Sequence, residues 1–451
     1  MKDRYLNRDK LDFGNGKIGP LFRALFIPTL IGMIFNSVLT LIDGIFVGHG
    51  VGAEGIAAVN IVAPVFMVST GIGLMFGIGS SVIASIRLSE DNVKAARIIM
   101  TQAFLVGILL MAVISIVCLI VPRQVVSLLG SSSVLETNAI TYMIWLVPGL
   151  LFLSVECIGM MLIRLDGAPK FAMAIQIVAA VLNIFLDWYM IFPLGCGLMG
   201  AALATSIACI VGGLMVIGYF LWRPYTLRFY RLKCSLTSML LTIRNSLYMA
   251  KIGFATFLTE LAMSVMMLTG NYMFISMLGE NGVAAFAVAC YLFPVVFSMS
   301  NAVAQSAQPI ISFNYGAHNA ARVREALRLS LFTAIVCGLL VSLGLWTGAR
   351  PVVGLFLSSA EPAYALAVEG LPLFSLCAVF FAVNIAFIGY YQSIENALAS
   401  TVYTLLRGVI FLVPCFILLP RLVGVAGLWL AIPAAELLTC ILIYVRHKVR
   451  A

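Results

Sequence analysis

Charged residues are scarce in this chain. Asp, Glu, Lys and Arg make up 10% of its 451 residues, and 62% of the residues are hydrophobic. Soluble globular domains contain about 25% charged residues. This scarcity excludes an ordinary soluble protein and indicates that lipid surrounds most of the chain.

Motifs of common enzyme classes are also absent. The sequence has no GxxxxGK[ST] loop for ATP and no hydrolase or zinc signature. Its ten cysteines are scattered, without a CxxC pair or a neighbouring His. We interpret them as small buried hydrophobic residues rather than a disulfide or metal framework. We therefore expect no enzyme activity and no cofactor, and any work must be driven by an ion gradient or by the substrate's own gradient.

Long apolar runs are abundant instead. Runs of about 20 apolar residues are the unit of a membrane helix, and lipid forces each run to be helical. We predict an all-α membrane protein with twelve spans, at 24–47, 56–84, 97–121, 137–163, 170–193, 198–222, 247–275, 282–311, 327–349, 363–391, 397–419 and 424–445.

The net charge of +9 follows the membrane topology rather than a nucleic-acid surface. With both termini in the cytoplasm, 23 of the 27 Lys and Arg residues fall in or beside cytoplasmic segments, as the positive-inside rule requires. The polar N-terminus has no apolar h-region, so we interpret it as a tail and not a cleaved signal. We expect a monomer in the plasma membrane of a bacterium, in contact with lipid and with no nucleic-acid partner.

The chain repeats itself with an offset of 227 residues. GIAAVN, which begins at Gly55, is matched by GVAAFA at Gly282, and Gly197 is matched by Gly424. Repeats of this kind, each with an even number of helices, are typical of transporters and imply two lobes related by a pseudo-two-fold axis along the membrane normal. The predicted organisation is a cytoplasmic tail (1–23), an N-lobe (24–222), a basic cytoplasmic linker (223–246), a C-lobe (247–445) and a second cytoplasmic tail (446–451).

Carboxylates inside the predicted spans are the most informative residues. Each costs about 2.5–3.5 kcal/mol at the centre of a membrane helix, so it normally faces a cavity or a partner. The sequence places Asp43 in span 1, Glu156 in span 4, Asp187 in span 5, Glu260 in span 7 and Glu436 in span 12.

The repeat separates function from folding for two of these acids. The positions of Asp43 and Asp187 are occupied in the second half by Gly270 and Pro414, so the fold itself needs neither acid. Asn183 precedes Asp187 by four residues and shares its helix face.

Two further features favour an ion site in the first half. Asp43 and Asp187 lie near the outer ends of spans 1 and 5, and Thr205 in span 6 can reach the same depth. Such an oxygen-rich set suits Na⁺ or a proton shared between the acids. The alternatives are an interhelical hydrogen bond for Asn183 and Asp187, and a carboxylate reaching water for Asp43.

Other candidates could line a substrate cavity. Glu156 and Glu260 either attract cationic substrates or are buried neutral acids. Tyr142 is a cavity residue or an interfacial aromatic. Met161, Asn271 and Phe293 are further cavity candidates, and packing or lipid contact is the alternative for residues of this kind. Pro28 interrupts span 1 and could act as its hinge.

The chain resembles the multidrug and toxic compound extrusion (MATE) family. The resemblance covers almost the whole sequence, and its most specific segments are DGIFVGHGVGAEGIAAVN, RLDGAPKFAMAIQIVAAVLNIFLDWYMIFPLGCGLMGAALATS and QPIISFNYGAHNAARVREA. The family implies a two-lobed exporter of twelve helices that exchanges Na⁺ or H⁺ for organic cations by alternating access.

The resemblance also implies roles for individual residues. The bacterial and archaeal pattern of the family's cation site matches Asp43, Asn183, Asp187 and Thr205. In another branch a Glu in span 7 acts with an Asp in span 10. Glu260 matches the first of these, but span 10 here has Asn384 and no Asp.

We therefore predict efflux of amphipathic, cationic drugs in exchange for Na⁺ or H⁺. The alternative is a flippase for lipid-linked intermediates, which would favour a basic cavity, whereas Arg407 is the one arginine clearly inside a span. A channel or a structural membrane protein is a third reading, and the acids confined to one lobe disfavour it.

Overall fold

A computed structural model describes residues 11–131 and 135–450 of the chain. Residues 1–10 of the predicted N-terminal tail and Ala451 of the predicted C-terminal tail lie outside these ranges. Within the described ranges all regular structure is helical and no strand is present.

The first half contains eight helices up to the end of the predicted linker. They are α1 (Ile18–Gly50), α2 (Ala53–Ser89), α3 (Val93–Ile120), α4 (Pro122–Leu128), α5 (Glu136–Leu165), α6 (Pro169–Ile191), α7 (Gly197–Trp222) and the start of α8 (Leu236–Gly316). Helix α4 is too short to cross a membrane and was not predicted.

The second half continues from α8. Its helices are α9 (Ala320–Thr347), α10 (Ala349–Val353), α11 (Pro362–Ser375), α12 (Cys377–Ser393), α13 (Ala397–Leu405), a π-helical turn (Leu406–Ile410), α14 (Leu412–Val423) and α15 (Val425–Arg450).

Helix α8 is two membrane spans joined at a single residue. Its 81 residues are interrupted at Gly279, where φ is 63° and ψ is −154°. Glycine adopts this left-handed conformation without the steric penalty that a Cβ atom brings. The described chain has eleven helical stretches long and apolar enough to cross a membrane, with α8 counted once, α11 joined to α12, and α13 joined through the π-helical turn to α14. The break divides α8 into the seventh and eighth of twelve spans. The predicted fold class is confirmed.

Several helices extend beyond the apolar runs. Helix α1 begins at Ile18, α8 begins at Leu236, and α15 continues to Arg450. Polar residues at these ends do not interrupt a helix, because water outside the membrane forms the hydrogen bonds that lipid cannot form. The apolar run therefore marks the membrane-embedded part of each helix, not its full length.

The chain forms two compact units. The first comprises Met1–Glu260 with Ser312–Ala320, and the second comprises Leu261–Ile311 with Ala321–Ala451. Each unit has its own apolar core, and tightly packed aromatic rings such as Phe274, Phe286 and Phe416 centre the second.

Small residues bring the start of α8 into the first unit. A methyl group built on Gly79 of α2 would overlap the backbone of Met249, and one built on Gly253 would overlap the backbone of Met75. Membrane helices approach closely where such small residues face each other. The first unit therefore extends along α8 as far as Glu260.

The linker after α7 is an ordered strap, residues 223–235, held by one carboxylate. Asp166, in the turn between α5 and α6, accepts hydrogen bonds from the backbone N–H groups of Tyr225, Thr226 and Leu227 (2.7–2.8 Å) and from the Tyr219 hydroxyl (2.8 Å). Burial raises the pKa of Asp166, and these four hydrogen bonds offset part of that increase. The RLDGAP segment thus fastens the strap to the end of α5.

Candidate cation site

Three helices of the first unit bring the predicted ion-binding residues together. Helices α1 and α6 pack against each other and against α7. Asp43 lies two turns before the end of α1, Asp187 lies one turn before the end of α6, and Thr205 lies two turns after the start of α7. The three residues reach a common depth because α1 and α6 run in the same direction and α7 returns.

Asn183 is the central hydrogen-bonding residue of the site. With its amide oriented so that both ends are satisfied, Nδ2 donates to Asp187 Oδ2 (3.2 Å) and Oδ1 accepts from the backbone N–H of Thr205 (3.1 Å). Amide orientation is assigned from such networks. The Thr205 hydroxyl donates to the Ala201 carbonyl in its own helix (3.2 Å). The amide therefore fixes the Asp187 carboxyl group relative to α7.

The two acids face each other across the α1–α6 interface. The carboxyl groups of Asp43 and Asp187 lie within hydrogen-bonding reach. Asp187 is fully buried, and the Oδ1 atom of each acid is buried without a hydrogen-bond partner. Two adjacent carboxylates cannot both remain charged in such surroundings without a cation between them. The pair therefore has the chemistry to share a proton or to bind a monovalent cation.

The donor set argues for a monovalent cation rather than a transition metal. The described residues contain no group of three or more His, Cys, Asp and Glu side chains placed to hold a metal ion. Two carboxylates, one amide and one hydroxyl supply oxygen ligands, which hard cations prefer.

Tyr142 belongs to the surroundings of this pair. It is buried in α5 and interacts electrostatically with both Asp43 and Asp187. Trp145, one turn further along, is 41% exposed. The sequence left Tyr142 open between a cavity and the membrane interface, and the structure buries it within electrostatic range of the acids.

Glu156 and Glu260 form a second acidic region of the first unit. Both interact electrostatically with Cys157 of α5. A methyl group built on Gly212 of α7 would overlap the Glu156 carboxylate, and Glu260 lies beside Gly71 of α2. Within the described chain, neither acid has a hydrogen-bond or salt-bridge partner in the protein. Uncompensated acids at this depth are available to a cationic ligand.

The remaining candidates lie in different surroundings. Met161 and Phe293 are each 3% exposed and pack in the cores of the first and second units, while Asn271 is exposed. Pro28 is buried inside α1.

A buried charged network in the second unit was missed by the sequence reasoning. Arg407 in the π-helical turn forms a salt bridge with Glu436 of α15 (3.1 Å), with 5% of each side chain exposed. Asn384 of α12 donates to Glu436 Oε2 (2.7 Å), and the guanidinium group lies over the Phe381 ring. The sequence contains one arginine in span 11 and one acid in span 12. Predicting that they pair requires the register between those two helices.

A twelve-span helical protein with uncompensated acids inside the membrane is typical of secondary transporters. The family model MatE matches residues 28–189 and 255–417. The chain belongs to this family, is a multi-pass membrane transporter, and is not an enzyme. The family resemblance seen in the sequence is confirmed.

Individual relatives agree with this assignment. The chain is 25% identical over 422 residues to the multidrug export protein MepA of Staphylococcus saprophyticus subsp. saprophyticus, covering 91% of this chain and 89% of MepA.

Two solved structures share the fold. One is a multidrug resistance MATE family transporter of the MOP superfamily in an outward-facing conformation (TM-score 0.90, 23% identity, 98% and 97% of the two chains). The other is a MOP superfamily transporter from Pyrococcus furiosus, described as having a binding pocket of reverse polarity (TM-score 0.89, 23% identity, 98% and 97%).

Proposed function

We propose that this protein exports amphipathic, cationic drugs in exchange for Na⁺ or H⁺. The observation that carries the proposal is the facing pair Asp43 and Asp187, held by Asn183 and buried in the first unit. The name of the relative MepA, a multidrug export protein, supports drugs as the cargo.

Coupling follows from the charge of the pair. An empty, doubly charged pair repels itself and favours separation of α1 from α6, whereas a bound Na⁺ or proton removes the repulsion and favours closure. Pro28 lacks the N–H that would complete the helix, so α1 can bend at that point. Occupancy of the acids thereby selects between two shapes of α1, which alternating access requires.

Glu156 and Glu260 give the transporter its preference for cations. Neither acid is neutralised by a protein group, so a positively charged drug supplies the missing charge in a low-dielectric environment. Apolar neighbours contribute non-directional contacts, so the substrates share charge and amphipathic character rather than one shape.

The flippase alternative receives less support from the described chain. A carrier of anionic lipid-linked intermediates needs free basic groups inside its helices. The guanidinium group of Arg407 is already paired with Glu436, whereas Asp43, Asp187, Glu156 and Glu260 form no salt bridge in the described part of the chain.

The surroundings of the protein complete the proposal. We place it as a monomer in the bacterial plasma membrane, in contact with lipid and with both termini in the cytoplasm. For each positive charge that moves inward, the membrane potential supplies about 2.3 kcal/mol per 100 mV.

Efflux from proteoliposomes tests the function. We expect ethidium export to be driven by an imposed Na⁺ or pH gradient and to be lost in Asp187→Asn. Glu90→Gln serves as the matched control, because Glu90 lies in a half-exposed salt bridge with Arg87. Export that persists unchanged in Asp187→Asn would refute the coupling role of the pair.

A further inference from the structure

Helices α1 and α6 keep the same register well beyond the acid pair. A methyl group built on Gly32 of α1 would overlap Oε1 of Gln176 in α6. Gly32 precedes Asp43 by eleven residues, and Gln176 precedes Asp187 by eleven. Eleven residues are close to three full turns, so the two contacts lie on one seam, about 16 Å apart.

Gln176 presents an unsatisfied oxygen to this seam. Its Oε1 is buried and has no hydrogen-bond partner. Gln176, Asn183 and Asp187 are separated by seven and four residues, so all three lie on one face of α6. The polar face that carries the acids thus continues three turns towards the start of the helix.

Thr29 adds a second unsatisfied oxygen, one turn before Gly32. The residue is 2% exposed, and its Oγ1 is buried without a partner. Helical threonines elsewhere in the first unit donate to a carbonyl of their own helix, as Thr40 does to Asn36 (3.1 Å) and Thr205 does to Ala201 (3.2 Å).

Pro28 leaves one more oxygen without a donor at this level of α1. It has no N–H to offer the carbonyl of Ala24 in the preceding turn. A short stretch at the inner part of the seam therefore concentrates oxygen atoms that lack donors, and buried polar atoms are normally paired.

We propose that Thr29 and Gln176 form an inner resting site for the coupling cation, carried as Na⁺ or as a hydrated proton. The proposal rests on the proposed antiport function and on the predicted cytoplasmic position of both termini. With that orientation, the inner site lies between the acid pair and the cytoplasm.

The chemistry of the two positions suits their order. Carboxylates bind a cation strongly and suit capture, whereas the neutral oxygens of Thr29 and Gln176 bind it weakly and suit release, as conduction through successive sites requires. Both oxygens are buried, so a bulky drug cannot reach them.

Drug-free cation exchange in proteoliposomes tests this site. The variants are Thr29→Val and Gln176→Leu, which keep size while removing the oxygen. We expect exchange to slow at least tenfold, while equilibrium binding at the acid pair stays within twofold of wild type. One arm follows ²²Na⁺ exchange at constant pH, and the other follows proton flux without Na⁺. The arm in which wild type exchanges identifies the ion.

Two further variants separate ion transit from packing. Thr29→Ser keeps a neutral hydroxyl oxygen and should retain exchange within threefold of wild type. Thr333→Val is the matched control, because the Thr333 hydroxyl already donates to Leu329 in its own helix (2.9 Å). Equal slowing in Thr29→Ser and Thr29→Val would assign Thr29 to packing and overturn the proposal.

The remaining outcomes are equally decisive. If Thr29→Val and Gln176→Leu exchange cations at the wild-type rate while Asp187→Asn does not, the inner site is refuted and the antiport function stands. If Gln176→Leu alters ethidium affinity but not drug-free exchange, Gln176 contacts drug and the inner site is refuted. If wild type shows no coupled exchange in either arm, the antiport function fails and the inner site fails with it.

Discussion

Asn183 is the side chain that joins the acid pair to a third helix. Its amide donates to Asp187 and accepts from the backbone of Thr205. An ion site built on two flexible carboxyl groups alone would lose orientation. The amide therefore contributes through positioning as well as through its oxygen.

Replacing Asn183 should weaken cation binding without abolishing transport. A hydrogen bond to a charged group contributes about 1.5–3 kcal/mol, so we expect Asn183→Ala to raise the cation concentration for half-maximal efflux about ten- to hundredfold. The comparison is Asn138→Ala, since Asn138 has only a long contact with Glu54 (3.5 Å). Unchanged cation dependence in Asn183→Ala would contradict the positioning role.

The residues of this site could be predicted from the sequence, but the register between its helices could not. The four-residue spacing of Asn183 and Asp187 places them on one face in any helix, and their loss from the second half indicated function. A single sequence does not give the register of α1 against α6. The sequence therefore predicted only that Asp43 and Asp187 lie at similar depth, not that they face each other. The pairing of Arg407 with Glu436 was missed for the same reason.

Helix α1 packs tightly against α6 but contains a proline at which it can bend. Its buried Pro28 lies four turns before Asp43, so a bend there would move the acid relative to α6. The α1–α6 contact is also tight at Gly32, where no larger residue fits without displacing Gln176.

Removing the bend should slow transport and leave ion binding intact. Alanine at position 28 restores an N–H to the Ala24 carbonyl and stiffens the helix. We expect Pro28→Ala to lower the efflux rate about tenfold with unchanged equilibrium binding of the cation. Pro148→Ala, in α5, is the control for losing a helical proline in the same unit. Wild-type rates and an unaltered pH or Na⁺ dependence in Pro28→Ala would rule out a hinge at this position.

Helices α12 and α15 and the π-helical turn are linked through the Arg407–Glu436 salt bridge and Asn384. Removing one member of a buried pair leaves an unpaired charge and costs about 3–5 kcal/mol, whereas replacing both with apolar residues is often neutral. We expect Glu436→Ala to lower the thermal unfolding temperature in detergent strongly, and Arg407→Met with Glu436→Leu to recover most of the loss. A double variant as unstable as the single one would show that the charges themselves are required.

The number of membrane helices could be predicted, but their ends could not. Apolar runs report contact with lipid, and each of the twelve runs coincides, to within two residues, with a helix or with consecutive helices of the structure. Helices α4 and α10 have seven and five residues, too few for a distinct apolar pattern. The sequence predicted separate spans at 247–275 and 282–311, but not that they are joined at the single residue Gly279 without a loop.

The two halves of the molecule have diverged in their buried charges. The first unit contains acids with no basic partner, and the second contains a salt bridge that neutralises itself. The same duplicated fold therefore accommodates an acid pair without a basic partner in one half and a paired polar network in the other.

At the scale of the whole molecule, the driving ion can be identified by separating gradients. We expect drug efflux to follow either an imposed Na⁺ gradient at constant pH or a pH gradient without Na⁺, and to vanish in Asp187→Asn under the condition that drives it. Accumulation of ethidium is the measurement. Efflux that needs neither gradient would mean that the acid pair does not couple transport to an ion.

The strap held by Asp166 gives the basic linker an unexpected property. Residues 223–235 carry several Arg and Lys side chains, which are cleavage sites for trypsin, yet their backbone is fastened at Tyr225, Thr226 and Leu227 and again where Tyr230 donates to Thr101 (2.9 Å). A protease must draw its substrate into an extended strand, and a tethered segment resists this. The linker should thus survive limited digestion at sites such as Arg228, whereas Asp166→Ala should expose it to cleavage.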